Sequence, residues 1–138
     1  MKSIIAFSTL FLMLSGNAYC ETPEPEKCPA VAELAKVGFD VVKATGATEW
    51  EVIIRKNQFN TNEEWSFGLM RIKAVSEREA RAKAADSFNS MIIFDGPSQS
   101  SRDNNEWTCL YGSQVDHTIG GAVTPPRDWE FTYRNLAK

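Results

Sequence analysis

His117 is the only histidine in the chain, and that fact bounds the catalysis available. A serine or cysteine nucleophile needs a base beside it to take its proton, so His117 would have to pair with Ser113 or Cys109. Gly112-Ser113-Gln114-Val115 lacks the second glycine of a nucleophile elbow. Cys109 is better explained as half of a disulfide. His117 stands between Asp116 and Thr118 and reads as a solvated loop residue. Paired carboxylates occur at Glu49/Glu51 and Glu63/Glu64. Glu49 and Glu51 would share one strand face, which suits acid–base work but is also how the solvent face of an amphipathic strand looks; the solvent face is the preferred reading. Asp103-Asn104-Asn105-Glu106 offers oxygen ligands but lacks the turn glycine and terminal acid of a calcium loop. Gly120-Gly121 opens no helix, so it forms no phosphate cradle. These residues point away from an enzyme and from a bound metal. A hydrolase built on His117 is the least favoured class.

The chain has 138 residues, 43% of them hydrophobic, enough for one small domain. Fifteen basic and 18 acidic side chains leave a formal net charge of −3. No basic stripe is present, which argues against a nucleic-acid partner. Residues 1–20 carry the pattern of a secretory signal: Lys2, an uncharged apolar stretch from Ile4 to Leu14, then Ser15, Gly16 and Ala18. The apolar stretch is about half the roughly 20 residues that a transmembrane helix needs, so no stable membrane insertion is expected once the signal is removed. Cleavage before Glu21 is the preferred reading. Cleavage before Tyr19 and acylation of Cys20 are the alternatives. The expectation is an exported protein, periplasmic or secreted. Cutting after Cys20 leaves Cys28 and Cys109, and two cysteines in an oxidising compartment can pair.

Elements must position whatever site exists. Residues 21–27, with two prolines among charges, read as an extended linker with nothing to bury. Cys28-Pro29 opens a short helix that Gly38 can stop. Phe39 and Val41, then Trp50, Val52 and Ile54, then Trp65, Phe67 and Leu69 alternate with polar or smaller neighbours and predict three strands. A second helix is predicted over 77–91, from the capping box Ser76-Glu77-Arg78-Glu79 and the stripe Ala80, Ala84, Phe88, Met91. Asp95 to Glu106 reads as a polar loop. Trp107, Cys109 and Tyr111 mark another strand, and Gly120 to Pro126 a short extended run. Residues 28–126 therefore read as one α+β domain: a small antiparallel sheet of four to five strands, two helices on one face, and one disulfide. Residues 127–138, in which Trp129, Phe131 and Tyr133 alternate, form a C-terminal tail or an edge strand. The aromatics Trp50, Trp65, Phe67, Trp107 and Tyr111 read as core, with a pocket for a flat hydrophobic ligand as the functional alternative.

Several of these pieces together resemble a family of small secreted bacterial proteins of unknown function, some of which carry a hemin-binding label. They are Cys28-Pro29, Trp50, Trp65-Ser66-Phe67, the alanine-rich helix, Trp107-Thr108-Cys109-Leu110-Tyr111 and Gly121-Ala122-Val123-Thr124-Pro125-Pro126. The similarity spans about Cys28 to Pro126. It implies secretion and a single domain, and it hands over no established active residue. If the hemin label applies, ferric iron needs an axial ligand. His117 would offer a nitrogen, Tyr111 or Tyr133 a phenolate oxygen, and Trp107 a ring to pack on the porphyrin. The leading expectation is a non-catalytic binding or interaction module with an unknown protein or small-molecule partner. A carrier of hemin or of a small hydrophobic ligand is the alternative.

Overall fold

Alternation of large apolar and polar side chains makes a strand, because successive residues point to opposite faces of a sheet. In the computed structural model, which describes residues 22–101 and 103–127, this alternation builds most of the chain. The order is α1 (Val31–Leu34), β1 (Val41–Ala44), β2 (Glu49–Asn57), β3 (Trp65–Lys73), α2 (Glu77–Ser87), β4 (Met91–Gln99), β5 (Trp107–Ser113) and β6 (Ile119–Thr124). The strands form one antiparallel sheet in the order β1-β2-β3-β6-β5-β4. The chain thus runs twice through a helix and a three-stranded meander, and the two halves join where β3 pairs with β6.

The fold is α+β with one disulfide, as expected, but the sheet has six strands rather than four to five. The extra strand is β4, which occupies the first part of the expected Asp95–Glu106 loop. It pairs with β5 from Met91↔Ser113 to Gln99↔Trp107, with irregularities on both sides of Asp95. Among the described residues its outer edge has no strand neighbour, and Ile92 to Gly96 are exposed, so burial imposes no alternation there. Gly96-Pro97 also imitates a turn.

Both helices pack on one face. Leu34 of α1 and Ala80 and Ala84 of α2 are fully buried in one cluster with Val52, Ile54, Trp65, Phe67, Leu69 and Tyr111. The small alanines let α2 sit close to the sheet. Gly120 of β6 provides further room. A methyl group there would stand 2.8 Å from Leu69 and 3.3 Å from both Phe67 and Tyr111. Those two rings meet across it edge to face, 5.5 Å apart.

The start of α2 follows its sequence. Ser76 Oγ accepts from the Glu79 N–H at 3.2 Å, while the Glu79 carboxylate reaches the Val75 N–H rather than that of Ser76. Glu77–Arg81 and Glu79–Lys83 pair along the exposed side. The helix ends at Ser87, earlier than the predicted Met91, in a 3-10 turn over Phe88–Ser90, and Met91 already belongs to β4. Ser76→Ala is expected to cost about 1 kcal/mol through loss of the cap. Thermal unfolding measures it, and an unchanged midpoint would contradict the role of the cap.

Cys28 and Cys109 are bridged, tying the residues ahead of α1 to β5. The preceding segment is not the free linker expected. Pro25 is buried, and the Thr22 carbonyl accepts from the Trp107 indole N–H at 2.9 Å. The signal expected over residues 1–20, and the tail or edge strand expected over 127–138 apart from Arg127, lie outside the described residues.

Candidate interaction surface

Tyr111, Trp107 and His117 are the residues that the sequence singles out for a ligand. Tyr111 is fully buried, and its hydroxyl donates to the Pro29 carbonyl at 2.6 Å. Burial pushes the phenol well above its ordinary pKa, so it is held neutral. Trp107 lies on the same strand face, half-buried, with its indole N–H on Thr22. His117 is exposed in the β5–β6 turn, with a φ of 60°. Trp107 pairs with Thr124 and Gly112 with Ile119, so Trp107 and His117 stand at opposite ends of the β5–β6 hairpin. The structure does not bring the three together. A hemin titration is accordingly expected to give an unsaturating absorbance change, unaffected by His117→Ala or Tyr111→Phe. A saturable one-to-one change lost in either variant would assign the site to them instead.

The other sequence candidates are tied into the local structure. Ser113 Oγ accepts from the N–H groups of Val115 and Asp116 and shares a 2.6 Å hydrogen bond with the Ser90 hydroxyl. The Asp116 carboxylate accepts from the Thr118 N–H, which lowers its pKa despite partial burial. These bonds shape the turn around His117. Cys109 is held in the bridge and has no free thiol to act as a nucleophile.

Glu49 pairs with Lys73 at 2.9 Å and Glu64 with Lys56 at 3.2 Å. Glu51 is buried rather than on a solvent face. The register between β2 and β3 shifts between Trp50 and Val52, and the sheet face opposite the helices is itself partly buried. Asp103 and Glu106 both pair with Arg127. Glu106 is buried, which raises its pKa, and the Ser100 hydrogen bond opposes that shift. Among the described residues no group of three histidine, cysteine or acidic side chains is placed to hold a metal.

The clefts on the surface include two lined by described residues. One, of about 300 Å³, lies between the end of α1 and α2, against Val37, Phe39, Arg81 and Phe88. The other, of about 150 Å³, lies between Glu26-Lys27 and the β2–β3 loop. None of Tyr111, Trp107 or His117 lines either one.

The feature that is not explained internally is the edge at β4. The two edges of the sheet differ. β1 is four residues long and carries an exposed lysine, Lys43, a common way of blunting an edge. β4 is nine residues long. Three adjacent large apolar side chains stand out from it: Ile92 is 45% exposed, Ile93 41% and Phe94 57%. The Phe94 ring lies over Gly112 of the neighbouring strand, 3.3 Å from where a methyl group would stand. Val115, also exposed, sits in the turn whose Gln114 N–H bonds to the Ser90 carbonyl just before β4. The second part of β4 is less open, because Gly96 takes a φ of 110° and Pro97 has no N–H to donate. The open run is Met91 to Asp95. Sequence reasoning missed it because Ile92-Ile93-Phe94 follows neither a helical nor an alternating period. The available signal was three consecutive apolar residues between a helix and a polar segment.

Comparison of the chain with protein-family models, with curated proteins and with solved structures finds no match.

Proposed function

We propose that this protein is a small exported bacterial interaction module without catalytic activity, and that it docks an extended segment of a partner protein along β4. The observation that carries the reading is the nine-residue edge strand with Ile92, Ile93 and Phe94 exposed side by side. An edge strand offers a row of backbone donors and acceptors to any extended chain laid against it, and alternate side chains grip it from the two faces. Here Ile92 and Phe94 act on one face and Ile93 on the other. The disulfide and the secretory pattern of residues 1–20 support an oxidising location, periplasm or medium. Among the described residues no helix is long and apolar enough to cross a membrane.

The test compares the wild type with Ile93→Lys and Phe94→Lys. Ile93 is 41% exposed and Phe94 57%, and the lysine stem can lie over the surface each covers, so the melting temperature should move little. With a partner isolated from the surroundings of the producing cell, either lysine is expected to weaken binding at least tenfold. Amide exchange at Ile92 to Asp95 should slow in the wild-type complex. A partner bound equally well by both variants, with no added protection along β4, would overturn the reading.

A further inference from the structure

The sheet has a second face, opposite the helices, and its centre is buried. Ile53 of β2 is 5% exposed and Val123 of β6 is 1% exposed, with Val41 and Met70 packed against them. One row of partners crosses five strands on this face: Val41, Ile53, Gly68, Gly121 and Leu110. Gly68 and Gly121 are neighbours in that row and both are buried. Two adjacent glycines between Ile53 and Leu110 leave a trough with an apolar rim. A valine on an uncovered sheet face keeps part of its side chain in water, so burial as deep as that of Val123 requires a cover. Among the described residues both helices lie on the other face.

The described chain ends on this second face. The Arg127 N–H donates to Ser66 Oγ at 3.4 Å, and Ser66 lies on the face of Gly68 and pairs with Val123. The Arg127 guanidinium, ion-paired with Asp103 and Glu106, fixes the exit. Residues 128–138 follow, and in them Trp129, Phe131 and Tyr133 alternate with polar residues, giving one apolar side when extended. Extended, this segment reaches up to about 36 Å at 3.3 Å per residue, more than the roughly 24 Å across six strands.

We propose that residues 128–138 fold back from Arg127 across the second face, laying the rings of Trp129, Phe131 and Tyr133 over the Gly68–Gly121 trough. The occupant of that face is then the chain's own C-terminal segment. Aromatic rings suit the site, since glycine pairs leave the space that a flat ring fills.

The experiment uses the chain beginning at Glu21, with labelled methyl groups. Through-space magnetisation transfer is expected from the Ile53 and Val123 methyls to the tail rings. In the double variant Trp129→Ser/Phe131→Ser these signals should vanish and binding of an apolar fluorescent dye should rise several-fold. Retained β5–β6 cross-strand signals would show that the sheet persists. If the variant fails to fold, the wild-type signals decide alone. Transfer seen only between differently labelled copies, meaning that a second molecule covers the face, would overturn the proposal. So would methyls that contact no tail ring, or equal dye binding by both proteins.

Discussion

Removing the Cys28–Cys109 bridge, by reduction or by the double substitution Cys28→Ala/Cys109→Ala, is expected to lower the unfolding free energy by about 3 kcal/mol. The bridge closes a separation of 81 residues. Chain entropy alone allows about 4–5 kcal/mol for so long a loop, and measured values usually fall below that limit. The local structure adds a second reason for a large effect. α1 is a single turn of four residues, far too short to persist by itself. It is held ahead of its first residue by the bridge and the Tyr111–Pro29 hydrogen bond, and at its last residue by buried Leu34. Without the bridge, α1 is expected to detach before the sheet unfolds. Urea denaturation with and without reductant measures the total, and amide exchange at Leu34 and Ala35 reports the detachment. An unchanged urea midpoint would contradict the prediction.

Gly96→Ala is expected to destabilise by about 3 kcal/mol or more, the largest effect foreseen for a single substitution. Two causes combine. A φ of 110° is open to glycine and strained for any residue with a Cβ. The added methyl would also stand 2.5 Å from the Thr108 carbonyl oxygen and 2.9 Å from the Cys109 Cα, both backbone atoms of β5. A flexible side chain can swing away, whereas a paired strand cannot. The neighbouring Cys28 Sγ, at 3.3 Å, passes the strain into the bridge. Gly46→Ala is the matched control: its nearest neighbour is 3.9 Å away and its φ is not positive. It should change stability by no more than about 0.5 kcal/mol. Equal melting temperatures for the two variants would show that β4 does not hold Gly96 as described.

What the sequence disclosed follows from where burial leaves a pattern. β2, β3 and β5 each have a face in the main core, so Val52 and Ile54, Trp65 and Phe67, and Cys109 and Tyr111 recur at every second residue. The capping box marks the start of α2 because the cap depends on side-chain chemistry that local spacing alone reveals. β4 was illegible for the opposite reason. It is held mainly by backbone pairing to β5, and backbone pairing leaves no trace in residue type. Its exposed apolar run was overlooked with it, which removed the strongest candidate site from view. Tyr111 was legible as core, but what its hydroxyl bonds to was not. A tyrosine hydroxyl available to a ligand and one satisfied by a distant carbonyl read identically, and the Pro29 partner lies 82 residues away.

The order in which the halves of the sheet meet has a kinetic consequence. Each half is a run of neighbouring elements, α1-β1-β2-β3 and α2-β4-β5-β6, whose hairpins close over short stretches of chain. The single β3–β6 ladder from Ser66↔Val123 to Met70↔Ile119 unites them, and it pairs the last strand of one half with the last strand of the other, residues 49 to 57 positions apart. Closing so long a loop must precede its reward, so the docking of the two meanders sets the folding rate. Until then β3 and β6 are both bare edges, and β3 exposes Trp65, Phe67 and Leu69 of the future core. The newly made chain is most prone to aggregate during that interval.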